Sequence, residues 1–387
     1  MNSEVYIASD NIVSPLGFSS AENFEHLKKM QTGVRILPTS NLSAEPVCAA
    51  VIDTEKLNSA FCLLNSKNEY TRLEKMAILS ISDALNGNKN IDIKSKRTLI
   101  IFSSTKGNID LLSEPEKNKF DKKRLFLWET ARVISSHFEN PNKPLIVSNA
   151  CVSGVVAIIL GKRMLENNQY DNAVIVGADI LTHFVVSGFQ SFKAVSAEVA
   201  KPYDADRDGI SLGEGCGTIV LTTNKAATAQ GSILVKGGSS SNDANHISGP
   251  SRSGDGLLLA IEKTLEESGV PAGDVDYISG HGTATLFNDE MEALAITDAK
   301  LFHVPMNSLK SYFGHTLGAA GIIESIIGIH SMRNNTLIAT YNYNKLGVSK
   351  PVNIIRETKE ARVNTCLKTA AGFGGCNAAV LFQKQII

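Results

Sequence analysis

The chain has 387 residues, enough for one large domain or two of ordinary size. Hydrophobic residues make up 43% and charged residues 20%, the balance of a packed globular protein, which excludes a disordered one. A formal net charge of −1 excludes the global basic field by which proteins gather nucleic acid.

In chain order, short β-branched runs alternate with helical patterns, the signature of α/β layering. Val5 to Val13 predicts a first strand and Ala21 to Met30 a helix. Leu99 to Phe102, Leu145 to Val147 and Ala173 to Val176 read as short strands that are apolar throughout, so their sheet is covered on both faces. Helices fit at Arg72 to Asn86, Leu127 to Phe138 and Val152 to Glu166, and the lysine- and acid-rich stretch Glu114 to Arg124 reads as an exposed loop. After a strand at Cys216 to Thr222 the pattern begins again. Strands are expected at Ile233 to Lys236, Asp276 to Ser279 and Ala378 to Phe382, and helices at Gly254 to Ser268, Glu290 to Asp298 and Ala319 to Met332. The repeated element order predicts a duplicated α/β unit, residues 1–225 and 226–387, with a seam near Thr223 to Gln230. No low-complexity linker separates the halves, so they are expected to share one tight interface.

The six cysteines contain no CxxC pair, so neither a zinc site nor a redox dithiol is signalled. Met1-Asn2-Ser3-Glu4-Val5 carries an acid where a secretory signal needs a basic region, and no apolar run reaches the ~18 residues of a membrane span. Together these features predict a cytoplasmic protein with free thiols.

Four segments carry chemistry. Cys151, in Ser148-Asn149-Ala150-Cys151-Val152-Ser153-Gly154, follows a buried strand and precedes a helix that opens on small residues. A helix N-terminus offers free N–H groups and a positive dipole end, which lower a thiol pKa from ~8.5 and favour the thiolate. Without that setting, a free cysteine is most often an inert buried residue. His281, in Ser279-Gly280-His281-Gly282-Thr283-Ala284-Thr285, ends a strand, where α/β sheets place their ligands, and its glycines let a substrate approach the backbone. Lys310-Ser311-Tyr312-Phe313-Gly314-His315 precedes another small-residue helix start. Gly372-Phe373-Gly374-Gly375-Cys376-Asn377 is either a tight turn or a source of N–H groups for an oxyanion.

These segments, in this order, resemble the elongating β-ketoacyl-acyl-carrier-protein synthases of the thiolase-fold superfamily. The family pattern is a Cys elbow, then His-Gly-Thr-x-Thr, Lys-x-x-x-Gly-His and Gly-Phe-Gly-Gly-x-Asn. The stretches Pro202 to Gly209 with Gly213-Glu214-Gly215, and Val13-Ser14-Pro15-Leu16-Gly17, extend the likeness over nearly the whole chain. The resemblance implies a thiolase-like fold, duplicated α/β halves in an αβαβα layered sandwich. It implies that Cys151 takes an acyl group from a carrier protein as a thioester. His281 and His315, as neutral imidazoles, would stabilise the enolate formed when a malonyl thioester loses its carboxylate. Backbone N–H groups of Cys151 and Phe373 would form the oxyanion hole, and the Phe373 ring would gate the pocket. Lys310 would hold the electrostatics of the histidines with Glu324 as its carboxylate, and Thr283 and Thr285 would bind the phosphopantetheine arm.

The same likeness implies no metal or redox cofactor, with a bound monovalent cation as the one addition compatible with it. It implies an acyl carrier protein as partner and a homodimer, with a heterodimer as the alternative. The surface stretch holding Lys67, Arg72 and Lys75 offers cations to an acidic carrier. Departures stand at Thr369-Ala370-Ala371, where the family has Asn-Ser-Phe, at Cys376 for the usual Thr, and at Cys216 for the common Ala. The stretch from Ser103 to Leu127 is shorter than the family norm; the short chain and Ser103-Ser104-Thr105-Lys106-Gly107 resemble synthases of bacterial aryl-polyene clusters. A chain-length-factor-like subunit is the rival reading, but such subunits lack the nucleophile. A thiolase is a further one, but its late cysteine sits in a different glycine pattern. A pure carrier-docking scaffold would have no use for the Cys-His-His-Lys set.

Overall fold

The computed structural model describes residues 3–64, 69–113, 116–228, 232–243 and 249–385. In the first half lie strands β1 (Tyr6–Val13), β2 (Thr98–Ser103), β3 (Leu145–Val147), β4 (Asn172–Asp179) and β5 (Gly215–Thr222). They form a sheet in the order β3-β2-β4-β5-β1. In the second half β6 (Ile233–Asn242), β7 (Tyr277–Ser279), β8 (Pro305–Asn307), β9 (Thr365–Gly372) and β10 (Cys376–Lys384) follow the order β8-β7-β9-β10-β6. In both sets the first two pairings are parallel and the last two antiparallel. The two sheets therefore share one topology, and they touch edge to edge where Tyr6 faces Leu234. The duplicated architecture expected from element order is present.

Helices fill the remaining layers. The long ones of the first half are α1 (Ser20–Lys28), α2 (Thr54–Leu64), α3 (Arg72–Leu85), α4 (Leu127–His137), α5 (Ser153–Glu166) and α6 (His183–Ser191). The second half adds α7 (Asp255–Ser268), α8 (Leu286–Asp298), the single turn α9 (Lys310–Phe313) and α10 (Ala320–Asn334). Leu73, Ile78 and Ile81 of α3 pack with Ile100 and Val174 on the outer face of the first sheet. Leu257 and Ile261 of α7 and Ile296 of α8 cover the outer face of the second with Leu367 and Leu381. Between the sheets lie α5 and α10, whose Val155, Ile158, Ile322 and Ile326 share a core with residues of both. Apart from the buried Glu324 and a few polar residues toward its end, α10 has no polar face, and a helix of that kind belongs in an interior. The result is the αβαβα sandwich.

Gly154 and Gly321 mark the crossing of these two helices. A Cβ on Gly154 would lie 2.9 Å from the Ile322 nitrogen and 3.0 Å from the Gly318 oxygen, and one on Gly321 would lie 2.6 Å from the Val155 nitrogen. Only glycine allows backbones this close. Among the described residues no helix is long and apolar enough to cross a membrane.

Candidate active site

The elbow that carries Cys151 is built from its own backbone. After β3 the chain turns through Ala150, whose φ of +44° is a costly left-handed value for a residue with a Cβ. The Ser153 hydroxyl holds the turn, accepting from the Asn149 N–H at 2.7 Å and donating to the Ala150 carbonyl at 2.6 Å. This places Cys151 just before α5, with its Sγ 2.9 Å from Nε2 of His315. The helix start is where the sequence put it, but the expected fall in thiol pKa does not follow. Burial pushes the thiol up to about 11, against the weaker pull of the Lys310 charge and a Phe373 N–H bonded to the sulfur. Desolvation of a charged thiolate outweighs the dipole.

His281 follows β7. Its loop is seated on two buried carboxylates of α8. Glu292 accepts from the N–H groups of His281 and Gly282, each at 2.8 Å, and from the hydroxyls of Tyr203 and Thr369 at 2.8 and 2.7 Å. Asp289 accepts from the Thr283 N–H at 2.9 Å and the Tyr203 N–H at 2.7 Å. Asp289 was missed because the expected helix began at Glu290, whereas it begins at Leu286, and Glu292 lay inside the expected helix without a role. Their signal was an acid pair three apart, entering the helix directly after a glycine-rich turn.

His315 leaves α9 through Gly314 at φ +67°, and its backbone bonds to Ser211 at 2.7 Å and Gly213 at 3.1 Å. The rings of His281 and His315 meet edge to face, with centroids 5.5 Å apart. Burial first, then the charges of Lys310 and Lys368, holds both imidazoles well below their ordinary pKa. Both rings are therefore neutral. Lys310, fully buried, contacts Oε1 of Glu324, so the Lys310 and Glu324 singled out by sequence lie together. Glu324 takes a second buried cation through Oε2, Lys368 at 2.5 Å.

Cys151, His281 and His315 bring their donor atoms within 4.8 Å of one another, a set that also suits a metal ion. The surroundings fit a dication poorly. Metal-bound histidines direct their other nitrogen to an acceptor, and Nδ1 of His315 has no hydrogen-bond partner among the described residues. Two ammonium groups also act on the rings.

The three residues line a cavity of about 340 Å³, together with Thr283, Thr285 and Phe373. Thr283 and Thr285 share a hydroxyl–hydroxyl bond of 2.9 Å. The Phe373 ring, 39% exposed at the mouth, packs on Phe189 and Phe192 of the α6 region at 5.7 and 5.5 Å. Sequence reading assigned nothing to α6, so those two aromatic rings were missed.

Two of the three cations expected to face a carrier protein are among the described residues. Arg72 turns inward, contacting Glu214 and donating to the Ile52 carbonyl at 2.5 Å, because a buried carboxylate demands a counter-ion. Lys75 bonds Asn58 at 2.9 Å, and Lys67 lies outside the described residues.

Comparison with known proteins agrees with this geometry. The model for the β-ketoacyl synthase N-terminal domain matches residues 2–227, and that for the C-terminal domain matches residues 232–344. A 3-oxoacyl-[acyl-carrier-protein] synthase 2 of Rhizobium meliloti is 33% identical over 266 residues, a stretch covering 65% of this chain and 62% of that protein. A putative mitochondrial 3-oxoacyl-[acyl-carrier-protein] synthase of Schizosaccharomyces pombe is 26% identical over 98% of this chain and 99% of its own. Among solved structures, a ketosynthase in complex with its chain length factor from Xenorhabdus doucetiae shares the fold with a TM-score of 0.86. It is 23% identical and covers 99% of this chain and 98% of that one. A β-ketoacyl synthase from Burkholderia phymatum has a TM-score of 0.85 at 24% identity, over 99% and 100% of the two chains. With the N-terminal domain model alone spanning more than half its length, this chain belongs to the β-ketoacyl synthase family.

Proposed function

We propose that the chain is a β-ketoacyl-acyl-carrier-protein synthase that joins acyl units by decarboxylative condensation. The observation that carries this is the 2.9 Å contact of Cys151 Sγ with His315 Nε2, with His281 edge-on beside it in the same cavity.

In the first half-reaction the Cys151 sulfur attacks the carbonyl of an acyl thioester while its proton passes to Nε2 of His315. The tetrahedral oxyanion takes N–H groups of Cys151 and Phe373. The bond to the carrier sulfur then breaks, and that sulfur takes the proton. Because the free thiol is held up near 11, the proton moves during attack and no thiolate is stored beforehand.

In the second half-reaction the malonyl carboxylate leaves as carbon dioxide and its bonding pair enters the thioester as an enolate. N–H groups of His281 and His315 hold the enolate oxygen, and neutral rings suffice for that. The enolate carbon attacks the Cys151 thioester, and the released thiolate takes one proton from solvent water. Thr283 and Thr285 bind the phosphopantetheine arm that presents each substrate, Phe373 gates the cavity, and Lys310 with Glu324 fixes the charge behind the histidines. Residues 1–225 supply the nucleophile and residues 226–387 the histidines. On this reading the partner is a cytoplasmic acyl carrier protein, substrates arrive covalently on its arm, and no separate cofactor takes part.

Some solved relatives pair a ketosynthase with a chain length factor. Of those two roles this chain is assigned the catalytic one, because the thiol is present and hydrogen-bonded. The test is intact-mass analysis after incubation with a panel of acyl-carrier proteins, then malonyl-carrier protein. Acylation that vanishes in Cys151→Ala, followed by a β-ketoacyl product, supports the proposal. Acylation from no donor refutes it and favours a non-catalytic partner subunit.

A further inference from the structure

One interior charge is not used by the steps above. Lys368 lies in the middle of β9, 0% exposed, in the run Cys366-Leu367-Lys368-Thr369-Ala370-Ala371. Cys366 and Ala370 belong to the core between the sheets, so strand alternation turns Lys368 to the same side, toward α10. Its Nζ lies 2.5 Å from Oε2 of Glu324 and donates to the carbonyl oxygens of Gly280 at 2.9 Å and Ser279 at 3.2 Å. Its ammonium thus donates to two carbonyl oxygens and pairs by charge with the carboxylate. Those two carbonyls belong to the last residues before His281.

Burying an ammonium is costly unless its partners are complete, and a methylene chain of equal length would fill the same space without the cost. The charge is therefore the informative part of the residue. Glu324 joins Lys368 to Lys310, so one carboxylate ties β9 to the turn that carries His315. The residue after Lys368 begins the departure Thr369-Ala370-Ala371, and the Thr369 hydroxyl reaches Glu292, the carboxylate that seats His281.

We propose that Lys368 is a positioning residue for the condensation, a tethered cation that clamps the backbone ahead of His281 and, with Lys310, sets the charge around the histidine pair. This rests on the synthase reading above. The charged and titratable groups facing it are Glu324 from α10, Lys310 from α9 and Glu292 from α8, with His281 and His315 beyond. Cys366 on its own strand and Tyr277 on β7 are kept neutral by burial. Two ammonium groups thus face two carboxylates, and the imidazoles stand next to the cationic side. The charges acting on the Cys151 thiol are instead those of Lys310 and Lys106, which favour the thiolate, and Asp179, which opposes it.

The test uses the full chain and the two half-reactions separately. Lys368→Met keeps the length and removes the charge. The expected result is Cys151 acylation within about threefold of wild type, but condensation reduced about tenfold or more. The acid limb of the condensation profile should move up by about one pH unit, because a positive charge near the imidazoles has gone. Lys368→Ala should recover condensation when methylammonium is added at millimolar levels, which a merely structural role would not produce. Unchanged condensation with an unmoved acid limb would overturn the proposal. Equal loss of both half-reactions with no response to the amine would do so too. If these variants do not fold, Lys368→Gln, which removes the charge but keeps a polar donor, carries the same measurements. A wild-type chain that accepts no acyl group overturns the synthase reading and this proposal with it, whereas a competent wild type with an indifferent Lys368 sinks the proposal alone.

Discussion

Alkylation of Cys151 should track thiolate population across the whole accessible pH range. Burial takes the thiol from an ordinary 9.0 to about 11. At pH 8 the thiolate is then about 0.1% of the total, and it grows about tenfold for each pH unit. Lys310→Met withdraws the largest charge that favours the thiolate, so its rate should lie below wild type at every pH. A loss of about 1.4 kcal/mol of that support appears as a tenfold slower reaction. The fold should tolerate the change, because Glu324 keeps Lys368 at 2.5 Å. The assay is peptide-mapped alkylation by a small haloacetamide from pH 6.5 to 10, with exposed Cys62 as the internal reference. A rate that is flat from pH 6.5 to 9 would mean a preformed thiolate–imidazolium pair, and the account of proton transfer during attack would be wrong.

Condensation at saturating malonyl-carrier protein should hold level from pH 8 down to pH 6. Both imidazoles are depressed below 6.5, so they gain a proton, and lose their neutral form, only at lower pH; an inflection at 6.5 in the rate profile contradicts this. Arg72→Met should destabilise the chain by about 3–5 kcal/mol in denaturant titration, since Glu214 stays buried without its cation, while the KM for carrier protein is unchanged. A weaker carrier interaction in a chain of unaltered stability would restore Arg72 to a docking role. Gly154→Ala should cost about 1–3 kcal/mol and slow acylation, because its methyl group meets backbone atoms of Ile322 and Gly318. Wild-type melting and activity in that variant would show that the helix crossing yields easily.

Sequence revealed most where physics is local. The apolar runs at Leu99, Leu145 and Ala173 became strands because both faces are covered, and α10, which has no polar face, became an interior helix. Other elements carried no such signal. Strand β6 runs on through Gly237-Gly238-Ser239-Ser240-Ser241, a stretch held by its pairing with β10 and not by its own propensity. Strand β9 went unread because a lysine interrupts its apolar run, and only the fold brings Glu324 to that lysine. At the site, motif order located Cys151, His281, Lys310 and His315, but not their electrostatics. The thiol pKa depends on how much water the fold removes, which no spacing of residues records. The ion pair of Arg72 was hidden for a similar reason, since its partner Glu214 lies far along the chain.

The crossing at Gly154 and Gly321 gives the site an unusual kind of tolerance. The spacing between thiol and imidazole is gauged by main chain resting on main chain, and main chain is identical in every amino acid. Substitutions elsewhere can repack side chains, thicken loops or reshape the cavity without moving that gauge. A scaffold of this kind can be re-fitted to new ligands by changing its walls while Cys151 and His315 keep their separation. Its weak points are few and fixed in advance: the handful of positions where a single added methyl group would push the two helices apart.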